Sequence, residues 1–134
     1  MVDGAEFERW RREAAHALEI ATLGERHNWR CFLAEQAAQL AVKALLHGLG
    51  TGPWGHDLVQ LGRAWAGALD QPLPEEVIGA LTRLSRLYIP TRYPDAQPSG
   101  TAADHYTAAD AEQAIADARL VISTVDDLWG QLQT

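Results

Sequence analysis

Residues 89–95 read Ile-Pro-Thr-Arg-Tyr-Pro-Asp, which sets a guanidinium (Arg92), a phenol (Tyr93) and a carboxylate (Asp95) around two prolines, Pro90 and Pro94. The prolines fix φ and lower the entropy cost of holding such groups in place. A guanidinium offers a planar fork of donors that fits a phosphate. Further along, His105 and Tyr106 stand just before Thr107. An imidazole changes charge near neutrality, so it can act as acid, base or anion contact. If a helix starts near Thr107, its unpaired N–H groups and positive dipole end add to the attraction for an anion. Arg92, His105 and the amides around residues 107–109 could then hold a phosphate together. The alternative is that Arg92 pairs with Asp95 to brace the loop while Tyr93 and Tyr106 serve as packed aromatics.

A second set lies on one helix face, where Gln36, Gln39 and Lys43 recur at spacings of three and four among alanines and leucines. Such a seam is a solvated outer stripe, an internal hydrogen-bonded network or a ligand site. Lys43 is the only lysine in the chain. His56 follows Trp54-Gly55 and precedes Asp57; it either braces the start of the next helix or belongs to the site. His47, at a helix end, meets the negative dipole end there, and His16 and His27 carry no signal. No pair of histidines four apart and no His–carboxylate cluster has metal-ligand spacing, so neither a metal site nor a cofactor is expected. Ser85, Ser99 and Ser123 lack a nucleophile setting. The lone Cys31 sits among apolar residues and reads as inert packing.

Helices must position all of these groups, because apolar residues recur at three and four throughout and no alternating strand pattern is present. The first helix carries Phe7, Trp10, Ala14, Ala17, Leu18 and Ala21, begins at an Asp3/Glu6 cap and stops at Gly24. The second spans about 28–47, and a shorter third runs from about 56 to 69. The fourth follows Pro74, and the last starts near Thr107 with Asp110 three residues on. Between the last two, residues 89–106 contain Pro90, Pro94, Pro98 and Gly100 and read as a long proline-rich loop. The expected fold is all-α: an up-and-down antiparallel bundle of four main helices and one shorter one, as a single domain over 1–134. A net charge of −7 opposes binding through a generally basic surface, so DNA is not an expected partner, though a local basic pocket is compatible with it. No apolar run is long enough for a bilayer, and Asp3, Glu6, Glu8, Arg9, Arg11 and Arg12 interrupt the first twelve positions, so the chain is expected in the cytoplasm and away from membranes.

Four separated stretches, in order, resemble the HEPN domain family. They are Cys-Phe-Leu-Ala-Glu-Gln-Ala-Ala-Gln-Leu-Ala-Val-Lys-Ala-Leu at 31–45, Gly-His-Asp-Leu at 55–58, Tyr-Ile-Pro-Thr-Arg-Tyr-Pro-Asp at 88–95, and His-Tyr-Thr at 105–107 followed by Asp110, Ala111 and Ala114. The likeness covers nearly the whole chain. It implies a helical bundle that forms a homodimer and works with a separate minimal nucleotidyltransferase, in several cases as a toxin–antitoxin pair. For the stand-alone Arg-Tyr-Pro-Asp type it implies a nucleotide ligand. Arg92 would contact phosphate, Tyr93 or Tyr106 would stack on a base, and Asp95, Lys43, Gln36 and His56 would line or brace the cleft. Ribonuclease relatives imply a second reading, a metal-independent endoribonuclease cutting RNA with Arg92 and His105, each dimer partner giving one such pair to a shared cleft. In those relatives the Arg stands only a few residues before the His, whereas twelve residues separate Arg92 from His105. Arg11 and His16 are closer, but both fall inside the first helix. Tyr106 follows His105 directly, whereas toxins modified on tyrosine by the partner have a residue between. Gln39 stands where relatives often carry Glu, which takes a negative charge from the seam. A third reading is a structural dimerisation module without a ligand site.

Overall fold

In the computed structural model, which describes residues 2–133, the chain turns helical at Gly4, where Asp3 Oδ1 accepts from the Glu6 amide at 3.1 Å. The resulting α1 (Gly4–Leu23) stops at Gly24, whose N–H closes on Ile20 O. After a short connection come α2 (His27–Gly48), α3 (Leu58–Leu69), α4 (Glu75–Ser85) and α5 (Ala108–Leu132). Asp57 caps α3 by accepting from the Val59 amide at 2.9 Å, and Pro74 precedes α4. Thr107 and Asp110 form a reciprocal capping box on α5, at 2.8 and 3.1 Å. No strand occurs among the described residues. No helix among them is long and apolar enough to cross a membrane.

Cross-links between the helices fix their directions. Asp3 N donates to Gly48 O at 2.6 Å, so the start of α1 meets the end of α2 and the two run antiparallel. Arg11 pairs with Asp126 through Nε and Nη2 at 2.7 and 2.9 Å, while Arg119 reaches Thr22 at 3.4 Å, so α5 runs opposite to α1. Arg30 near the start of α2 reaches Glu112 near the start of α5 at 2.7 Å, and these two helices run the same way.

Small side chains let the helices come close. Ala14, Ala17 and Ala21 of α1, Ala34, Ala37, Ala38, Ala41 and Ala44 of α2, and Ala111, Ala114 and Ala118 of α5 are all buried. Bulk comes from Trp65, Leu45, Leu46, Leu58 and Leu84, with the Phe7 and Trp129 rings stacked at 4.2 Å near one end. Gly48 lies under that stack, where a Cβ would be 2.6 Å from Trp129 Cζ3, so only glycine leaves the ring its place. Buried residues on α2 come from every side of the helix, because α1, α3, α4 and α5 all pack against it. Polar residues of α2 therefore lie inside the bundle or at the edge of its packing.

The stretch between α4 and α5, expected as one loop, is divided by two short 3-10 helices, Pro94–Ala96 and Ala102–His105. Pro94 supplies the fixed φ that opens the first. Thr101 and Asp104 cap the second reciprocally, and the Thr101 contacts hold the Asp104 carboxylate below its usual range.

Candidate functional site

Arg92 is placed by a turn that the bundle locks from beneath. Thr91 is fully buried; its hydroxyl donates to Leu87 O at 2.6 Å, and its own carbonyl accepts from Asn28 Nδ2 of α2 at 3.0 Å. Gln97 Nε2 donates to Pro90 O, which ties the following stretch back to the turn. The Arg92 guanidinium, now facing α2, donates Nε and Nη2 to Tyr88 O at 3.0 and 2.7 Å. It lies 4.2 Å from the Phe32 ring centre, 4.8 Å from Tyr88 and 5.2 Å from Tyr93. Three ring faces with one carbonyl hold the planar cation firmly, each contact adding modest attraction. Among the described residues Nη1 has no hydrogen-bond partner. Among the described residues no ion pair joins Arg92 to Asp95, which stands exposed on the Pro94–Ala96 turn.

Beside this cation, Glu35 of α2 is fully buried. Its carboxylate accepts from Gln36 Nε2 at 2.9 Å and from Gln39 Nε2 at 2.6 Å. Burial pushes the carboxyl up to about 7, against the opposing pull of the two amides and of Arg92 and Lys43 nearby. Lys43, half-buried two turns further along α2, is shifted below the ordinary lysine value by its own desolvation, with Glu35 acting the other way. Gln39 passes the network on: its Oε1 lies 3.3 Å from His56 Nδ1. The exposed His56 ring stacks on Tyr88, with centres 5.1 Å apart and planes 11° from parallel.

The structure thus gathers Gln36, Lys43, His56, Arg92 and Tyr93 around Glu35, Phe32 and Tyr88. The glutamines are not a solvated outer stripe: Gln39 is buried, Gln36 half-buried, and both bond to Glu35. His56 does not cap α3, since Asp57 performs that task. His105 and Tyr106 lie elsewhere. They line a cleft of about 360 Å³ between α4 and α5 with Arg83, Gln97, Gln113 and Asp117, and Arg92 is not part of its wall. There His105 Nε2 contacts Ser99 O at 2.6 Å, and burial moves the Tyr106 phenol above its usual value. Asp117 meets Arg83 through both oxygens at 2.9 and 2.8 Å. Asp110 is already engaged in capping α5. Among the described residues, therefore, no shared cleft or hydrogen bond brings Arg92 and His105 together within one chain.

Another cleft, about 420 Å³ between α3 and α4, is walled mainly by Val59, Ala66, Leu73, Ile78 and Leu81, with Arg63 and Thr82 also in its lining, and includes none of the candidate site residues. Among the described residues no group of three His, Cys, Asp or Glu side chains is arranged for a metal ion. Cys31 is buried, with its thiol pushed up to about 11 by burial, and is unreactive for that reason.

Sequence reasoning missed Glu35, Phe32 and Tyr88. Glu35 carried one signal: it precedes Gln39 by four residues and Gln36 by one within an otherwise apolar run, so the two amides had a carboxylate to meet. What the site offers is a preorganised guanidinium with free donors, a nearby ammonium, ring faces at its rim and a buried acid beneath. That set suits a planar, phosphate-bearing ligand.

The family model described as HEPN domain matches residues 7–128. Among solved structures, the chain is similar to TT1696 from Thermus thermophilus, with 37% identity over 90% of this chain and 96% of that one, at a TM-score of 0.79. It is similar also to ST0689, an archaeal HEPN homologue, with 30% identity over 91% of this chain and 96% of that one, at a TM-score of 0.76. A HEPN domain protein from Thermotoga maritima, tm0613, shares 27% identity over 92% of this chain and 93% of its own, at a TM-score of 0.61. No protein of curated function matches the sequence.

Proposed function

The chain belongs to the HEPN domain family, and from that premise we propose that it binds a nucleotide or related phosphate ligand and acts with a separate minimal nucleotidyltransferase as part of a toxin–antitoxin pair. The family has nuclease and nucleotide-binding roles, and the observation that favours binding here is the Arg92 setting. Its guanidinium is fixed by Tyr88 O and three rings, yet keeps donors for an anion. Lys43, which like Arg92 acts electrostatically on Glu35, adds positive charge, Gln36 flanks the acid, and Tyr93, 46% exposed, offers a ring face for a base. Exposed Trp29, edge-on to Phe32, and exposed Tyr93, beside Arg92, flank the site and support a homodimer formed next to it. Cleavage of RNA by Arg92 and His105 would need the two groups to meet across such a dimer, because the cleft that His105 lines does not include Arg92.

Titration calorimetry with AMP, ADP, ATP and GTP is expected to show saturable binding of at least one of them. Heats indistinguishable from dilution for all four at millimolar ligand would remove the binding reading.

A further inference from the structure

Two carboxylates are buried inside the described bundle, and they are treated differently. Asp117, 4% exposed, is neutralised by a bidentate Arg83 and receives Gln113 as well. Glu35, at 0% exposure, has two neutral amides as its hydrogen-bond partners among the described residues. Burying an unpaired carboxylate is costly, and a structural role for Glu35 would have been met more cheaply by a neutral side chain. The groups facing it are few. Gln36, Gln39 and Lys43 come from α2, Arg92 comes from the turn after α4, and His56 from the α2–α3 connection is reached through Gln39. The two cations act on Glu35 at a distance, without an ion pair to it, and they are the same two that a phosphate would engage.

We propose that the site takes up a proton at Glu35 when a phosphate monoester settles against Arg92 and Lys43. The proposal rests on the reading that the site binds such ligands. In the free protein the two cations favour the ionised acid. A dianionic phosphate claims them and adds its own field, so ionised Glu35 would leave the site with an excess negative charge in a low-dielectric setting. A proton on Glu35 restores neutrality. It also turns the carboxyl into a donor, while the remaining oxygen still accepts from an amide. Because burial already brings this acid near neutrality, ligand binding can shift its occupancy by a large fraction of a proton at physiological pH.

The test is calorimetry of 5′-AMP binding at pH 7.5 to 8.5 in buffers of different protonation enthalpy, a range where the phosphomonoester is already dianionic. Wild-type protein is expected to take up roughly half a proton or more near pH 7.5, and its affinity to fall about three- to tenfold over the next pH unit. Glu35→Gln is expected to bind with heat that does not depend on the buffer. Binding by wild type with buffer-independent heat, or the same uptake in Glu35→Gln, overturns the proposal and leaves the ligand reading standing. No binding heat for AMP or any other nucleotide overturns both. If the variant does not fold, buffer-independent heat in the wild-type protein still overturns the proposal, and Glu35→Ala serves as the second non-titrating variant.

Discussion

Replacing Arg92 by alanine is expected to weaken nucleotide binding about 10- to 100-fold while leaving the helical content unchanged. The size follows from what is removed: charge-assisted hydrogen bonds to phosphate contribute roughly 1.5–3 kcal/mol each, and the free Nη1 can make at least one. The side chain is half-buried at the rim, with its main contacts to Tyr88 O and three ring faces, so its loss opens no core cavity. Arg92→Lys separates charge from shape. It keeps a cation but gives up the planar fork and the stack on Phe32 and Tyr88, so an intermediate affinity is expected. Calorimetry on the three proteins, with circular dichroism as the check on folding, measures this. Equal affinity in wild type and Arg92→Ala would take Arg92 out of the site.

The second large effect concerns stability and pH. Glu35 moves from an ordinary 4.5 to about 7 on folding. A folded value raised in this way means that the protonated acid favours the folded chain. That contribution is complete below about pH 4.5 and is lost as pH rises through 7. Relative to Glu35→Gln, which does not titrate, the wild-type protein should lose about 3 kcal/mol of stability between pH 4.5 and 8. Urea denaturation of both proteins across that range gives the comparison, and other titrating groups cancel in the difference. Parallel stability curves for the two proteins would show that Glu35 is not buried as an isolated acid.

Much of the fold was legible because its signals are local. Asp3 with Glu6, and Thr107 with Asp110, announce two helix starts within a single turn, and both caps form. The short 3-10 turn at Ala102–His105 carried a signal of the same kind, Thr101 three residues before Asp104, which was lost under the prolines of its neighbours. The site was less legible. Whether Gln39 faces solvent or core depends on α2 being surrounded, a tertiary fact that periodicity along one helix does not contain. The stack of His56 on Tyr88 joins residues far apart in sequence, and the direction of Arg92 depends on Thr91 being pinned by Asn28 from another helix. Residue types in the motifs pointed to Arg92, Tyr93, Lys43, Gln36 and His56. The acid that organises them is an ordinary glutamate until its burial is known.

The most direct test of the account is an NMR titration of nitrogen-labelled protein with 5′-AMP that follows side-chain N–H signals. Saturable shifts are predicted for the Gln36 and Gln39 amides, the Arg92 guanidinium and the His56 ring, with Gln113 and His105 in the α4–α5 cleft unmoved. Shifts confined to Gln113, His105 and their neighbours would place the ligand in the other cleft and contradict the site described around Glu35.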